Sequence, residues 1–198
     1  PDLSSHLHLS LCIQVINILC YKSSLTDQTV YIRLNRSAVN ILQGPWSCQN
    51  QKNEVQLREG ESLTSLVNGI QSCFSDYEIP FHTTVDDETL QELFYIDPED
   101  VEVYAGFYSR AITSSDNLLA VKAKEGKVEN VVSGMQQRRE DIKRNFEEYL
   151  PDQYEKACTG QIVTNGDFAV FILLGDFPSD WETQYQKAEK YFFSLFES

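Results

Sequence analysis

One short segment constrains the fold more than any other part of the 198-residue sequence. Residues 168–174 read FAVFILL, so a strand formed by them is apolar on both faces. Such a strand has no side that can face water, and it therefore belongs in the middle of a sheet. We expect that sheet to be covered on both sides, either by helices alone or by helices on one side and the N-terminal segment on the other.

The FAVFILL segment forms the second half of a predicted β-hairpin. Residues 161–164 have the composition of a strand, and Asn165–Gly166 lies between the two segments. An Asn-Gly pair suits a type I′ turn, because both central residues of that turn take a positive φ. The hairpin therefore places the two strands side by side in antiparallel order.

Two further strands are predicted nearer the N-terminus. In Val101–Tyr108, apolar residues at every second position alternate with Glu, Tyr and Gly, which indicates a half-buried strand. Leu118–Lys124 is a second strand of the same kind. The residues expected to face the core are Val101, Val103, Ala105 and Phe107 of the first strand, and Leu119, Val121 and Ala123 of the second.

Four helices are predicted from apolar spacing and capping residues. Ser62–Phe74 and Asp86–Phe94 carry apolar residues along one side, and Ser179–Glu182 has the spacing of a capping box that begins a C-terminal helix. The longest helix begins at Val128 and is expected to end at Pro151, which lacks the amide hydrogen that a helix interior needs. Its apolar stripe consists of Val128, Val132, Met135, Ile142 and Phe146.

Together these elements follow the order α-α-β-β-α-β-β-α after residue 60. This order indicates the α+β class with a mainly antiparallel sheet. We expect the long central helix and the C-terminal helix to pack against that sheet.

The charge of the chain limits its partners. Asp and Glu number 30 against 16 Lys and Arg, which gives a net charge of −14. A surface this acidic repels phosphate backbones, so no nucleic acid is expected as a partner. No apolar run is long enough to predict a transmembrane segment. Residues 1–60 have a charge balance of +1 and residues 61–198 a balance of −15. The difference indicates an N-terminal segment of different composition over residues 1–60, with either a different origin or a different role, and a single α+β domain over residues 61–198.

Neither a metal site nor a cofactor is predicted. The five cysteines form no CxxC pair, and their spacing matches no zinc ligand set. His6 and His8 share one face if their segment is a strand, but the spacing supplies no third ligand. A disulfide among Cys12, Cys20 and Cys48 stays open for an exported protein.

No catalytic residue is predicted, because the sequence has no GxSxG, HExxH, P-loop or GxGxxG motif. Arg139 is the most informative charged residue, since it interrupts the apolar stripe of the long helix between Met135 and Ile142. A cation in that position must either extend its head group to water or meet a carboxylate. Both possibilities stay open at the level of the sequence.

Several pieces of the C-terminal two-thirds are similar to one known family. They are Leu93–Glu102, Leu119–Lys124, the pair Arg138 and Arg139, Phe146–Glu155 and Gly166–Val170. The most distinctive part is the YLPDQY run of residues 149–154. On these pieces the chain resembles the bacterial (Firmicutes) family catalogued as domain of unknown function 4358, over about residues 62–196 and most closely over 90–175.

The resemblance implies a small exported protein that is extracellular or held at the cell surface, with no activity assigned. Many members of the family carry an N-terminal lipoprotein signal. Here Leu9–Cys20 is apolar but interrupted by Gln14 and Asn17, and no basic region precedes it. We therefore interpret this stretch as a strand or helix segment and not as a convincing signal peptide.

Two functions follow from these observations. The first is a non-enzymatic binding or accessory module for a protein, peptide or glycan of the cell envelope. The second is a cell-surface hydrolase or transferase that uses a carboxylate near Asp97 or Asp167 together with Arg139. The candidate ligand-binding residues are Tyr104, Tyr108, Arg139, Tyr149, Tyr154 and Asp167.

Overall fold

The computed structural model describes residues 55–74, 77–176 and 180–197. In these residues a five-stranded sheet lies between two layers of helices. The helices are α1 (Leu63–Ser72), α2 (Asp87–Glu92), α3 (Val128–Phe146), α4 (Pro151–Thr159) and α5 (Trp181–Ser194). The strands are β1 (His82–Thr84), β2 (Val101–Ser109), β3 (Asn117–Ala123), β4 (Gln161–Asn165) and β5 (Phe168–Leu173). A single 3₁₀ turn, Pro98–Asp100, leads into β2.

The sheet has the order β1-β2-β3-β5-β4, and every neighbouring pair is antiparallel. The α+β prediction with an antiparallel sheet is therefore confirmed. All six residues of β5 are buried, and this strand lies between β3 and β4 in the interior of the sheet. Among the described residues, helices cover it on both sides, and Val55 and Leu57 of the N-terminal segment also pack on the α1 and α5 side.

Each face of β5 belongs to a different half of the core. Phe168, Val170 and Ile172 pack with α1 and α5, whereas the alternate residues Ala169, Phe171 and Leu173 pack with α2, α3 and α4. Strand β3 is built in the same way. Its Leu118 and Ala120 join the α1 and α5 half, so the prediction that only Leu119, Val121 and Ala123 face the core was incomplete. A strand flanked by two partners and covered on two faces buries both sets of side chains.

A β-bulge corrects the predicted faces of β2. Val101 pairs with Ala123 and Val103 pairs with Lys122, so Glu102 is an extra residue on this strand. A bulge of this kind reverses the alternation of side chains along the strand. Val101 consequently packs in the α3 half of the core, while Val103 is 47% exposed. The prediction that these two valines share a buried face was wrong for this reason.

Two short elements were absent from the predicted order. Strand β1 adds an edge to the sheet, and helix α4 follows α3 after a four-residue connection. Pro151 does not end the long helix directly, since α3 ends at Phe146. Pro151 instead lies in the first turn of α4, where a missing amide hydrogen leaves no helical bond unmade.

The hairpin between β4 and β5 forms as predicted but turns one residue later. Asn165 pairs with Phe168, so Gly166 and Asp167 are the two loop residues. Gly166 has a φ of +58°, and Asp167 is not among the residues with positive φ. A positive φ at the first loop residue alone is the pattern of a type II′ turn, not of the predicted type I′.

The apolar stripe of α3 is rotated slightly from the predicted one. Met135, Ile142 and Phe146 are buried as expected. Val128 and Val132 pack against the core but are only partly buried, and Val131, which was not predicted, is fully buried. The stripe also contains Gly134, next to the loop that follows α2. Residues 1–54 lie outside the described part of the chain, so the predicted division near Gly60, the His6–His8 pair and the Cys12, Cys20 and Cys48 disulfide stay predictions. Ser179 of the predicted capping box also lies outside it; the observed N-cap of α5 is Asp180.

Replacing Gly134 with alanine tests how closely α3 approaches the α2 loop. A Cβ at this position would lie 2.5 Å from the Phe94 carbonyl oxygen and 2.8 Å from that of Tyr95. In an open helix Gly→Ala stabilises by about 1 kcal/mol, whereas overpacking here is expected to destabilise by about 1–3 kcal/mol. Urea unfolding measures the sign directly. The control is Ser133→Ala, a substitution at the exposed residue next to Gly134. A Gly134→Ala variant that is as stable as the original protein, or more stable, would contradict this packing.

Candidate functional site

A cavity of about 460 Å³ opens beside the end of β2. The β2–β3 loop forms one wall, and one side of α3 together with the α3–α4 connection forms the other. Ile142 and Phe146 supply part of its apolar lining. The polar residues that line it are Ser109, Arg110, Ser114, Ser115, Asn117, Arg138 and Asn145.

Arg138 is one of the two arginines that line this cavity, the other being Arg110. Its Nε donates a hydrogen bond of 3.1 Å to Oδ1 of Asn117, the first residue of β3. Its Cζ lies 5.6 Å from the centre of the Phe94 ring, a distance at which a cation is attracted to an aromatic face. Desolvation is the largest influence on this group and lowers the pKa of Arg138 to about 10. The guanidinium is therefore charged at neutral pH but poorly hydrated.

Arg138 has no carboxylate within salt-bridge distance among the described residues. The acid that acts on it most strongly is Asp141, but that carboxylate accepts hydrogen bonds from Tyr95, Gln137 and Arg144. No described Asp or Glu lines the cavity either. In a chain with a net charge of −14, this leaves a concave site of local positive charge.

A buried ion pair lies next to the cavity, because Asp116 is between the lining residues Ser115 and Asn117 in the sequence. Asp116 is 0% exposed and Lys156 is 1% exposed, and Nζ of Lys156 donates to Oδ1 of Asp116 at 2.5 Å. Oδ2 of Asp116 accepts a hydrogen bond of 2.6 Å from the Tyr77 hydroxyl and another from Ser114. Burial lowers the pKa of Lys156, and the Asp116 carboxylate opposes that shift. Burial together with the same carboxylate raises the pKa of Tyr77.

The ion pair is one of three contacts that hold the end of the β2–β3 loop. Oε1 of Gln153 on α4 accepts hydrogen bonds from both the amide and the hydroxyl of Ser115. Asp116 then contacts Lys156 on the same helix, and Asn117 contacts Arg138 on α3. Three consecutive residues are thereby bound to two helices, which fixes the wall against which Arg138 lies.

Of the six predicted ligand-binding residues, Tyr149 is the one that lines the cavity. Arg139 follows Arg138 in the sequence but lies on a different side of α3. Its Nη1 donates to the Gly160 carbonyl oxygen at 3.1 Å, which satisfies the C-terminal end of α4. The nearest carboxylate to Arg139 is its neighbour Glu140, at 3.8 Å.

The other predicted residues lie outside the cavity. The Tyr104 hydroxyl donates to Asp87 at 2.6 Å, and Tyr108 packs edge-on against Phe94, the ring beneath Arg138. Tyr154 packs against the α3 half of the core. Asp167 lies in the β4–β5 turn, where its carbonyl oxygen accepts a hydrogen bond from Ala123.

The acids proposed for the enzymatic alternative do not meet Arg139. Asp97 accepts a hydrogen bond from the amide of Glu99 and caps the 3₁₀ turn, while Asp167 belongs to the hairpin loop. Across the described ranges, no group of three or more His, Cys, Asp or Glu side chains is arranged to hold a metal ion. None of the helices in those ranges is both long and apolar enough to cross a membrane.

Sequence reasoning missed Arg138, Asp116 and Lys156. Arg138 was visible only as one of two matching arginines in the family resemblance. Lys156 follows a polar stretch in a helix that was not predicted, and no local pattern indicates that its side chain is buried. The pairing of residues 116 and 156 is a long-range contact, and apolar periodicity carries no information about such contacts.

A double-mutant cycle measures what the buried ion pair contributes. Lys156→Met leaves the Asp116 carboxylate buried without its cation, and we expect a loss of about 3–5 kcal/mol in the free energy of unfolding. Adding Asp116→Asn removes the uncompensated charge and is expected to recover part of that loss. Urea unfolding of the two single variants and the double variant gives the coupling energy.

The control is Lys122→Met, because Lys122 forms a more exposed ion pair with Glu102 at 2.8 Å. An exposed pair is expected to contribute less than about 1 kcal/mol. Equal losses for Lys156→Met and Lys122→Met would show that the buried pair does not stabilise the fold in this way.

Comparison with known proteins gives one family and no closer relative. No curated protein and no solved structure matches the chain. Residues 75–174 match the family described as Domain of unknown function (DUF4358). The matched region runs from just before β1 to the end of β5 and therefore contains every polar cavity residue named above. The chain is thus a member of the DUF4358 family.

Proposed function

We propose that this domain is a non-enzymatic binding module that holds an anionic ligand in the cavity beside Arg138. The observation that carries the proposal is a mostly buried guanidinium that lines a cavity of about 460 Å³ and has no carboxylate partner among the residues that the structure describes. Placing an unpaired cation away from water is unfavourable in the free protein. A ligand carboxylate or phosphate would supply the missing charge and accept paired hydrogen bonds from the guanidinium.

The cavity hydroxyls support binding more than catalysis. Ser109 donates its hydroxyl to the Pro80 carbonyl oxygen at 2.5 Å, and Ser115 donates to Gln153. A serine nucleophile needs a base within hydrogen-bond reach. The described lining contains neither histidine nor carboxylate. Ser114 does donate to a described carboxylate, Asp116, but that group is buried and paired with Lys156. These serines are thus arranged as fixed polar contacts.

The location and partner belong to the same proposal. The family resemblance supports a bacterial (Firmicutes) protein that is exported and works in the extracellular space or at the cell surface. Its partner there is a peptide, protein or glycan of the cell envelope that carries an anionic group. The charge of −14 supports this restriction, because the rest of the surface repels anions and only a local positive site would retain one.

Replacing Arg138 tests the proposal directly. Titration of the ¹⁵N-labelled protein with acetate, phosphate and citrate is expected to produce saturable shifts of the Ser115 and Asn117 amide signals. Arg138→Gln removes the charge-assisted hydrogen bonds, each of which contributes about 1.5–3 kcal/mol, so we expect affinity to fall by about tenfold or more. The measurement is the apparent Kd from the NMR titration.

The matched control is Arg144→Gln, which removes an exposed arginine from the same helix. It is expected to leave the anion affinity unchanged. Binding that is equal in the Arg138→Gln and Arg144→Gln variants, or an absence of saturable shifts with every anion, would refute an anion site at this cavity.

A further inference from the structure

We infer that the ligand of this cavity is amphipathic, with an anionic group at Arg138 and an apolar chain that extends along α3 toward Tyr149. This inference rests on the proposed function and adds the chemical class of the ligand. It is carried by apolar side chains beside the positive charge. Ile142 and Phe146 are mostly buried and form a strip in the cavity floor, and Ile112 and Tyr149 are exposed at its rim.

The strip follows one side of α3 and continues past its end. Arg138, Ile142 and Phe146 are four residues apart in turn, so they lie one above the other on the helix, and all three line the cavity. Tyr149 continues this line in the α3–α4 connection. A rise of 1.5 Å per residue places Phe146 about 12 Å along the axis from Arg138. An extended chain advances about 1.3 Å per C–C bond, so this length suits a chain of roughly nine or ten carbons.

The rim exposes apolar side chains from two separate segments. Ile112 in the β2–β3 loop is 79% exposed, and Tyr149 is 59% exposed. Both line the cavity that contains Arg138. Large apolar residues exposed together at the edge of a concave site indicate a surface that a ligand covers. An anion without an apolar part would leave both side chains in water.

A second concavity of about 370 Å³ shares Arg110 with the first. Phe81 lines it and is 81% exposed, with a φ of +47°. A positive φ is rare for a bulky residue and is found more often at functional sites than elsewhere. The Phe81 carbonyl oxygen accepts a hydrogen bond from the Arg110 amide at 3.1 Å, and Arg110 lines both concavities. An apolar side chain and a cation therefore recur next to each other at this edge.

The test compares linear carboxylates of increasing length. Isothermal titration calorimetry with acetate, butyrate, hexanoate and octanoate separates the anionic group from the chain. Burial of a methylene strengthens binding by up to about fourfold, so affinity is expected to rise two- to fourfold per CH₂ group through octanoate. Chains of more than roughly ten carbons are expected to gain little, because they pass the end of the strip.

Variants separate the two ends of the ligand. Ile112→Ser and Tyr149→Ser are expected to weaken octanoate binding severalfold more than they weaken acetate binding. Arg138→Gln is expected to weaken both ligands. Phe193→Ser is the control, because Phe193 is an exposed apolar residue on α5, which packs on the opposite face of the sheet.

The outcomes distinguish this inference from the proposal on which it rests. Equal affinity for acetate and octanoate, or an octanoate affinity that is insensitive to Ile112→Ser and Tyr149→Ser, overturns the inference and leaves the anion site standing. An absence of binding by all four carboxylates overturns both. N-acetyl-leucyl-leucine, which has a free carboxylate, separates the sources: tighter binding than octanoate supports a peptide carboxyl terminus, and weaker binding supports an acyl chain.

Discussion

The antiparallel pairing of β3 with β5 is the interaction on which the rest of the structure depends. Six residue pairs join these strands, from Asn117 with Leu173 to Lys122 with Phe168, and apolar side chains leave the pair on both faces. The backbone groups between them have no water as a partner, so the ladder must satisfy them. Both halves of the core and all the helices that pack on them are organised around this pair.

The same pair determines where the cavity lies. Strand β3 begins at Asn117, and the residues just before it turn away from the sheet into contact with α3 and α4. The Asp116–Lys156 ion pair is sealed off in the core, where its charges compensate each other. Arg138 contacts Asn117, the residue after Asp116, and has no carboxylate partner among the described residues. The fold thus separates a structural ion pair from an available cation, and the proposed ligand site follows from that separation.

The sequence was informative about elements and much less so about the site. Apolar spacing predicted the α1 helix and the long α3 helix, and an uninterrupted apolar run predicted the FAVFILL strand. Both patterns show which side chains must be buried. The α4 helix was missed since Pro151 was interpreted as a terminator and not as a first-turn residue. Arg139 was chosen over Arg138 because periodicity shows which helix face is apolar but not the rotation of that helix against its neighbours. Adjacent residues on a helix differ by about 100° in direction. Arg139 therefore caps the end of α4, whereas Arg138 lines the cavity.

What the sequence determined by itself was the class of fold, its antiparallel hairpin and its buried central strand, since these depend on local patterns of apolar and turn residues. Only the tertiary structure decided the bulge at Glu102, the pairing of Asp116 with Lys156 and the exposure of Ile112 and Tyr149 at one rim. Each of these depends on which distant segments meet and at what register. These long-range contacts depend on how whole helices and strands pack, so a local pattern of residues does not predict them.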